Sequence, residues 1–281
     1  RIPAKMAEMQ AELGGNNKYA GVLPRLAQYE LTLLDWAEAH KGARQYVAFA
    51  NKCWPAFQTE FKFVPCYVNS RLAAMGIPVS CEVDIYGALS EYIGVCVSGA
   101  PTTLLDINNT VPASIYDKAI RGRYDVRLPE TFMGFHCGNT SCAMLKDSHM
   151  GYQLIMKRDL EPELPEPDIT RGTMEGNIKP GDITFFRLQS TAYTQLKAYF
   201  AQGQVLDVDC ESFGSIGAFA IPEMDRFYRH VLIAKRYPHH GAVAFGHWGK
   251  ALFEVFKYLG VTDIAYNQPR SLPYPGENPF V

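Results

Sequence analysis

The sequence predicts an α/β N-terminal part, an incomplete parallel sheet with flanking helices, followed by a mainly antiparallel, β-barrel-like C-terminal domain with closing helices. In the first hundred or so residues, short apolar runs alternate with segments of helical periodicity, which is typical of a parallel sheet covered by helices. From Thr103 to about Pro222, short β-like runs follow one another between Gly, Pro, Asn and Asp residues, which favours a barrel or a sandwich. We therefore divide the chain into residues 1–102 and 103–281.

The N-terminal part is predicted to alternate helices with short strands. Residues 23–40 place apolar residues at helical intervals, and Gly42 follows as a stop signal. QYVAFANK is interpreted as a short buried strand, residues 57–75 as a helix, PVSC as a second strand and DIYGALSEYIGVCVSG as a further helix. These strands are too few for a complete doubly wound sheet, so we expect this part to be truncated at its N-terminus.

The C-terminal domain is predicted to contain short strands, one long loop and two final helices. The β-like runs are TTLLDINN, TFMGFHC, YQLIMKR, DITFFRLQ, AYFAQGQVLDV and GAFAIP. Three prolines in RDLEPELPEPDITRG indicate a surface loop. MEGNIKPGDITFF is typical of a hairpin that turns at Lys179-Pro180-Gly181-Asp182. The helices are PEMDRFYRHVLIAKRY and HWGKALFEVFKYLG.

Composition excludes several classes of protein. The 281 residues include 27 Lys and Arg against 29 Asp and Glu, 47% are hydrophobic and 20% are charged, which is typical of a folded soluble chain. Because the basic residues are neither in excess nor clustered, we expect no nucleic-acid partner. No apolar run approaches the roughly 20 residues that span a bilayer, so we expect no membrane partner. Seven cysteines without a CxxC pair favour reduced thiols and a cytoplasmic location.

Three acidic residues follow two of the apolar runs. Glu82 and Asp84 come after a short strand and open a helix, and Asp106 ends the run TTLLD. Functional groups in α/β sheets collect beyond the carboxyl ends of strands, and 24 residues from Glu82 to Asp106 leave room for one helix and a return strand. Helix capping is the alternative for the first pair, and it fits Asp84 better than Glu82. A strand end and turn is the alternative for Asp106.

Three of the seven histidines gather in PHHGAVAFGHWG. In an extended backbone the adjacent His239 and His240 point to opposite sides, so only one of them is expected at a shared site. His247 lies at the start of the last predicted helix and is expected to cap it or to pack there. For each of the three histidines, the alternative is a hydrogen-bonded structural role. One imidazole with two carboxylates forms a hard ligand set that suits Mn²⁺, Mg²⁺ or another divalent ion.

These segments resemble a known superfamily. CEVDIYGAL, LLDINN and PHHGAVAFGHWG, in this order, are similar to the L-fucose isomerase/L-arabinose isomerase superfamily, and most of all to its L-fucose isomerase branch. KCWP, GFHCGN and TRGTMEGNIKPGDITFFR extend the resemblance over about residues 45 to 265. The resemblance implies that Glu82 and Asp106 are metal ligands and acid/base groups, that His240 is the third ligand, and that Mn²⁺ or Mg²⁺ is the cofactor. It also implies a homo-oligomer and a further N-terminal domain that is missing here.

The activity that the resemblance implies is divalent-metal-dependent aldose–ketose isomerisation of a free monosaccharide, such as L-fucose, D-arabinose or L-arabinose, through a cis-enediol. Candidate substrate-binding residues are Trp54, Asn108, Asn139 and His239. Trp54 has a half-buried core position as its alternative. His239 stands where some relatives have asparagine, which leaves the sugar open. The alternatives in function are a metal-independent sugar-binding or assembly protein of the same fold and a metal-dependent hydrolase that ionises a water.

Overall fold

The structure is a computed structural model that describes residues 1–278 and 280 of the chain. Its α-helices are α1 (Ile2–Leu13), α2 (Leu23–His40), α3 (Cys66–Ala74), α4 (Ile85–Ser98), α5 (Ala113–Ile115), α6 (Leu154–Leu160), α7 (Met224–Phe227) and α8 (Gly249–Tyr258). Its strands are β1 (Phe49–Ala50), β2 (Val79–Ser80), β3 (Thr102–Ile107), β4 (Thr131–His136), β5 (Leu145–Tyr152), β6 (Arg171–Ile178), β7 (Gly181–Ser190), β8 (Leu196–Val205), β9 (Ser215–Ala220), β10 (His240–Phe245) and β11 (Asp263–Tyr266).

Shorter helical turns connect these elements. The 3₁₀ turns are Ala20–Val22, Leu128–Glu130 and Cys142–Met144, and the π-helical turns are Phe57–Phe61, Tyr116–Ile120 and Tyr228–Ile233. No helix of the described residues is both long and apolar enough to cross a membrane.

The N-terminal part is α/β, as predicted. β1 and β2 pair in parallel, with Phe49 opposite Val79; α3 and α4 pack against this small sheet, α2 packs on α3, and α1 packs on α2. α4 begins where the sequence indicates, because the Asp84 side chain accepts a hydrogen bond of 2.8 Å from the backbone N–H of Gly87. The helix predicted over residues 57–75 is wrong as a single element: a π-helical turn ends at Phe61, and α3 begins after Pro65, which cannot continue a helix from the preceding residues.

The C-terminal region is one nine-stranded mixed sheet in the order β11-β8-β7-β10-β3-β4-β9-β6-β5. Most neighbours are antiparallel, as predicted, but β6–β9 and β8–β11 are parallel. β8 also pairs with β9, so that six strands (β8, β7, β10, β3, β4 and β9) follow one another in a closed circuit of pairings. Within this circuit, β10 pairs with β7 on one side and with β3 on the other. These three strands carry groups of the site described below.

Several local predictions for this region are wrong. YQLIMKR forms α6 instead of a strand, because the Gln153 side chain accepts from the backbone N–H of Met156 and caps a helix. The strands on either side of the predicted KPGD turn do not form a hairpin: β6 pairs with β5 and β9, and β7 pairs with β8 and β10. β5, β10 and β11 were not predicted. β5 is polar at its exposed centre, which hides the alternation of a strand.

Both parts of the chain share one apolar core. Leu72 of α3 and Val79 of β2 belong to the same buried cluster as Leu105 of β3 and Phe185 of β7. α4 packs across β3, β7 and β10. The turn that precedes α4 is therefore held against the ends of β3 and β10.

Candidate active site

Asp106 and His240 are brought together by strand register. β3 and β10 are antiparallel, and Asp106 stands directly opposite His240 in their pairing. Directly opposite residues of a sheet project to the same face, which explains why two residues 134 positions apart become neighbours. Gly241 next to them faces the ring of Phe185 so closely that any Cβ would collide with it, which accounts for a glycine at this position.

The contact between the two side chains is close but is not a hydrogen bond. His240 Nε2 lies 3.1 Å from Asp106 Oδ1. This buried oxygen nevertheless has no aligned hydrogen-bond partner among the described residues. A buried carboxylate oxygen without a partner is costly in a folded protein unless another group satisfies it. The arrangement is typical of two ligand atoms that face one shared position.

Glu82 approaches His240 from the turn between β2 and α4. Its Oε2 lies 3.7 Å from His240 Nε2, and its side chain is 49% exposed. The turn places Glu82 and Val83 in the left-handed region, with φ of 60° and 58°. This conformation is uncommon for any residue except glycine and is an outlier for the β-branched Val83. Backbone strain of this kind clusters at functional sites.

His239 also lies at this position, which differs from the expectation that only one of the adjacent histidines would do so. Its Nε2 is 3.8 Å from Asp106 Oδ1, and one ligand atom each from Asp106, His239 and His240 lie within 4.8 Å of one another. The strand alternation does not apply because β10 begins only at His240. His239 is the more exposed of the two, at 63% of its side chain, so it lies at the mouth of the site.

The charged groups of the site shift one another's pKa values. Burial alone would lower the pKa of His240, but the carboxylates of Asp106 and Asp84 outweigh it and raise this pKa to about 9. Burial alone would raise the pKa of Asp106, but His240, together with His136 and His239, lowers it. Asp106 is therefore ionised at neutral pH and available as a ligand or as a base.

This donor set fits a divalent metal ion. Glu82 and Asp106 offer carboxylate oxygens and His240 offers a ring nitrogen, which is the hard ligand set that Mn²⁺ and Mg²⁺ prefer. The partnerless buried oxygen of Asp106 is the group that such an ion would satisfy. The structure thus sets Asp106 and His240 together with His239, and Glu82 lies beside His240 outside this group. The roles of all these residues as ligands stay predictions.

Residues 134–266 match the family model of the L-fucose isomerase C-terminal domain, and this segment contains His240. The matched segment is slightly under half of the chain, and over these residues the chain resembles the L-fucose isomerase C-terminal domain. Glu82 and Asp106 precede the matched segment.

Several curated proteins that are similar to this chain are named sulfoquinovose isomerases. A sulfoquinovose isomerase of Clostridium sp. (strain MSTE9) is 29% identical over 162 residues, which cover 57% of this chain and 31% of the relative. A sulfoquinovose isomerase of Priestia aryabhattai is 21% identical over 256 residues, which cover 90% of this chain and 50% of the relative. One of Alkalicoccus urumqiensis is 25% identical over 190 residues, or 64% of this chain and 36% of the relative. The chain spans half or less of the length of these relatives.

The other three substrate-binding candidates lie outside the cleft that Glu82 and His240 line. Asn108 is exposed and accepts a hydrogen bond from the backbone N–H of Asn109. Asn139 is buried, donates to the carbonyl of Val79, and leaves its Oδ1 without a partner among the described residues. Trp54 is half-buried. Its indole N–H is buried and has no hydrogen-bond partner among the residues that the structure describes. None of the three lines the cleft that contains Glu82 and His240.

Two further groups of this cleft were missed or undervalued by sequence reasoning. Arg187 of β7 lines it and binds Asp84, which the sequence placed only as a helix cap. Arg236 lines its outer part. No sequence signal pairs Asp84 with Arg187, because 103 residues separate them. His247 lies elsewhere, where its Nε2 is 3.3 Å from the carbonyl oxygen of Gly203.

Proposed function

We propose that this chain is the part of a divalent-metal-dependent aldose–ketose isomerase that carries the metal ligands, and that it acts on a monosaccharide through a cis-enediol. The observation that supports the proposal is the group formed by Asp106 and His240, with Glu82 3.7 Å from His240, in a chain that resembles the L-fucose isomerase C-terminal domain. Homo-oligomeric assembly, expected from the sequence, is part of the same proposal.

The isomerisation moves one proton from C2 to C1 and another from O2 to O1. One carboxylate of the Glu82 and Asp106 pair removes the proton from C2 of the aldose, the C1=C2 bond forms, and the carbonyl oxygen O1 takes up a proton. The enediol then loses the O2 proton, C2 becomes the carbonyl carbon, and C1 receives a proton to give the ketose. A divalent ion held by Glu82, Asp106 and His240 would supply Lewis-acid stabilisation of the negative charge that develops on the two sugar oxygens.

The different exposures of the Glu82 and Asp106 carboxylates suit different roles in these proton transfers. Glu82 is half exposed on its turn and free of hydrogen bonds among the described residues, so it can meet a substrate that enters from solvent. Asp106 is more buried, and the surrounding imidazoles keep it ionised by lowering its pKa. His239 at the mouth offers a further polar contact to a sugar hydroxyl.

We propose an anionic sugar as the substrate. The relatives are named sulfoquinovose isomerases, and that name denotes a sugar with a sulfonate group. Arg236 is exposed at the cleft and makes no ion pair among the described residues, in contrast to the adjacent Lys235, which pairs with Asp263. An arginine fork binds an oxyanion with charge-assisted hydrogen bonds. We therefore place the sulfonate at Arg236 and keep L-fucose, D-arabinose and L-arabinose as neutral alternatives.

The test is an isomerase assay with a panel of sugars. The protein is incubated with Mn²⁺ and, separately, with sulfoquinovose, L-fucose, D-arabinose or L-arabinose, and ketose formation is measured before and after a chelator is added. We expect ketose from sulfoquinovose that is lost with the chelator and restored by Mn²⁺. Sugar binding without ketose, unchanged by the chelator, would instead favour a sugar-binding protein. Release of acid or alcohol from an ester or amide would favour a hydrolase.

A further inference from the structure

The ring nitrogen of His240 that faces away from Asp106 has its own partner. Nδ1 of His240 lies 2.9 Å from Asp84 Oδ2. His240 and Asp84 are both largely buried, with side-chain exposures of 8% and 13%. Nε2 on the other side of the ring lies near Asp106 and Glu82. The imidazole is thus held between a carboxylate behind it and the candidate metal position in front of it.

Asp84 is itself fixed by Arg187. The guanidinium of Arg187 donates to both carboxylate oxygens of Asp84 at 2.7 Å, and its side chain is 3% exposed. The remaining donors of Arg187 reach Gln189 Oε1, at 3.0 and 2.9 Å, and the backbone carbonyl of His240, at 3.3 Å. Arg187 therefore contacts Asp84 and the His240 backbone at once, and it links α4, β7 and β10.

The backbone leaves room for this arrangement. The N–H of Gly87 donates to Asp84 Oδ1 at 2.8 Å, and a Cβ built on Gly87 would lie only 2.6 Å from Asp84 Oδ2. A larger residue at this position would push the carboxylate away from His240. The carboxylate of Asp84 thus accepts hydrogen bonds from three separate elements and has little freedom to rotate.

A buried ion pair of this kind is a poor source of stability. The cost of removing both charges from water often exceeds their attraction, and apolar residues of similar volume serve stability as well or better. A bidentate pair does fix geometry. The carboxylates that hold metal-bound histidines in other proteins select the tautomer and the orientation of the ring.

We infer that Asp84 and Arg187 are positioning residues that keep the proton of neutral His240 on Nδ1 and direct Nε2 toward Glu82 and Asp106. The inference rests on the proposed function for its purpose, because it assigns Nε2 to the metal. Neither residue is a catalytic group: both act through His240. A role in capping α4 alone would leave the imidazole unaffected when Asp84 loses its charge.

The test compares D84N and R187K with E161Q. D84N keeps the size of the side chain and removes the charge, and R187K keeps the charge and removes the fork. E161Q alters a buried carboxylate that accepts hydrogen bonds from Thr170 and two backbone N–H groups and does not line the cleft. Mn²⁺ affinity is measured by titration calorimetry. We expect it to fall by about 10- to 100-fold in D84N, less in R187K, and not in E161Q.

A second measurement needs no metal. The ¹⁵N spectrum of histidine-labelled, metal-free protein, recorded above the His240 pKa of about 9, reports which ring nitrogen carries the proton, and H240Q assigns the signal. We expect the Nδ1–H form in the unaltered protein and in E161Q, and a mixture of both forms in D84N.

Unchanged Mn²⁺ affinity together with an unchanged tautomer in folded D84N would overturn the inference. If D84N does not fold, R187K decides by the same two measurements. If the unaltered protein itself binds no Mn²⁺, the proposed function fails, while the tautomer still decides whether Asp84 positions the ring.

Discussion

Replacing Glu82 by glutamine tests the proposed chemistry at its most accessible group. The amide has the shape of the carboxylate, but it can neither take up the substrate proton nor bind a divalent ion with a full negative charge. Glu82 accepts no hydrogen bond among the described residues and is half exposed. The substitution therefore removes chemistry from the site without removing a contact that supports the fold.

The expected magnitudes for turnover and for stability differ widely. Loss of a general acid or base lowers turnover by about 10² to 10⁴, which is roughly 3–5 kcal/mol of transition-state stabilisation. A surface substitution that breaks no hydrogen bond or packing contact changes stability by only about 0.5 kcal/mol in either direction. For a chain of this length that is a shift of about 2 °C or less in Tm.

The assay is ketose formation under saturating Mn²⁺, together with a thermal melt of the same preparation. Glu254→Gln is the matched control, because Glu254 is an exposed glutamate on α8 that does not line the cleft. We expect Glu82→Gln to lose turnover at an unchanged Tm and Glu254→Gln to retain both. Turnover by Glu82→Gln at the unaltered rate would refute the acid/base role, and a large fall in Tm would refute the claim that Glu82 is free of structural contacts.

Two further substitutions test other features of the cleft. Arg236→Gln should raise KM for sulfoquinovose about tenfold or more, since hydrogen bonds to charged groups contribute about 1.5–3 kcal/mol, and should leave KM for L-fucose nearly unchanged; equal effects on both sugars would contradict the sulfonate contact. Val83→Gly should raise the unfolding free energy by roughly 0.5–1 kcal/mol, because relief of a left-handed conformation worth about 1–2 kcal/mol outweighs the extra entropy that glycine loses on folding. Turnover should fall in this variant because the turn holds Glu82 less firmly, and a lower Tm would show that Val83 is not strained.

The parts of the fold that could be predicted from sequence are those set by local chemistry. α4 was predicted because Asp84 caps it and Gly99 ends it in the left-handed region. The strand that carries Asp106 was predicted because it is a short apolar run, whereas the strand that begins at His240 was not predicted. The KPGD hairpin failed because turn residues identify a reversal of the chain without identifying the partner of each strand.

In the candidate site, too, local sequence indicates which residues matter but does not indicate which of them become neighbours. The sequence identified Glu82, Asp106 and His240 by residue type and by resemblance, but it could not supply the register that sets Asp106 opposite His240. It treated Asp84 as a cap, which it is, and missed its second role, because that role depends on Arg187 from a strand about a hundred residues later. It expected only one of His239 and His240 at the shared site because residues of a strand alternate, but this rule holds only within a strand, and β10 begins at His240.

The charges of the cleft account for a preference for a divalent cation. Arg187 balances Asp84, so the pair is close to neutral as a unit. Glu82 and Asp106 then leave two negative charges beside the imidazole of His240, and His239 also lies near Asp106. Without a cation, the imidazole itself takes up a proton, in keeping with a His240 pKa of about 9. A doubly charged ion balances both carboxylates and, by displacing that proton, leaves His240 as a neutral ligand, so that binding of the ion near neutral pH should release protons.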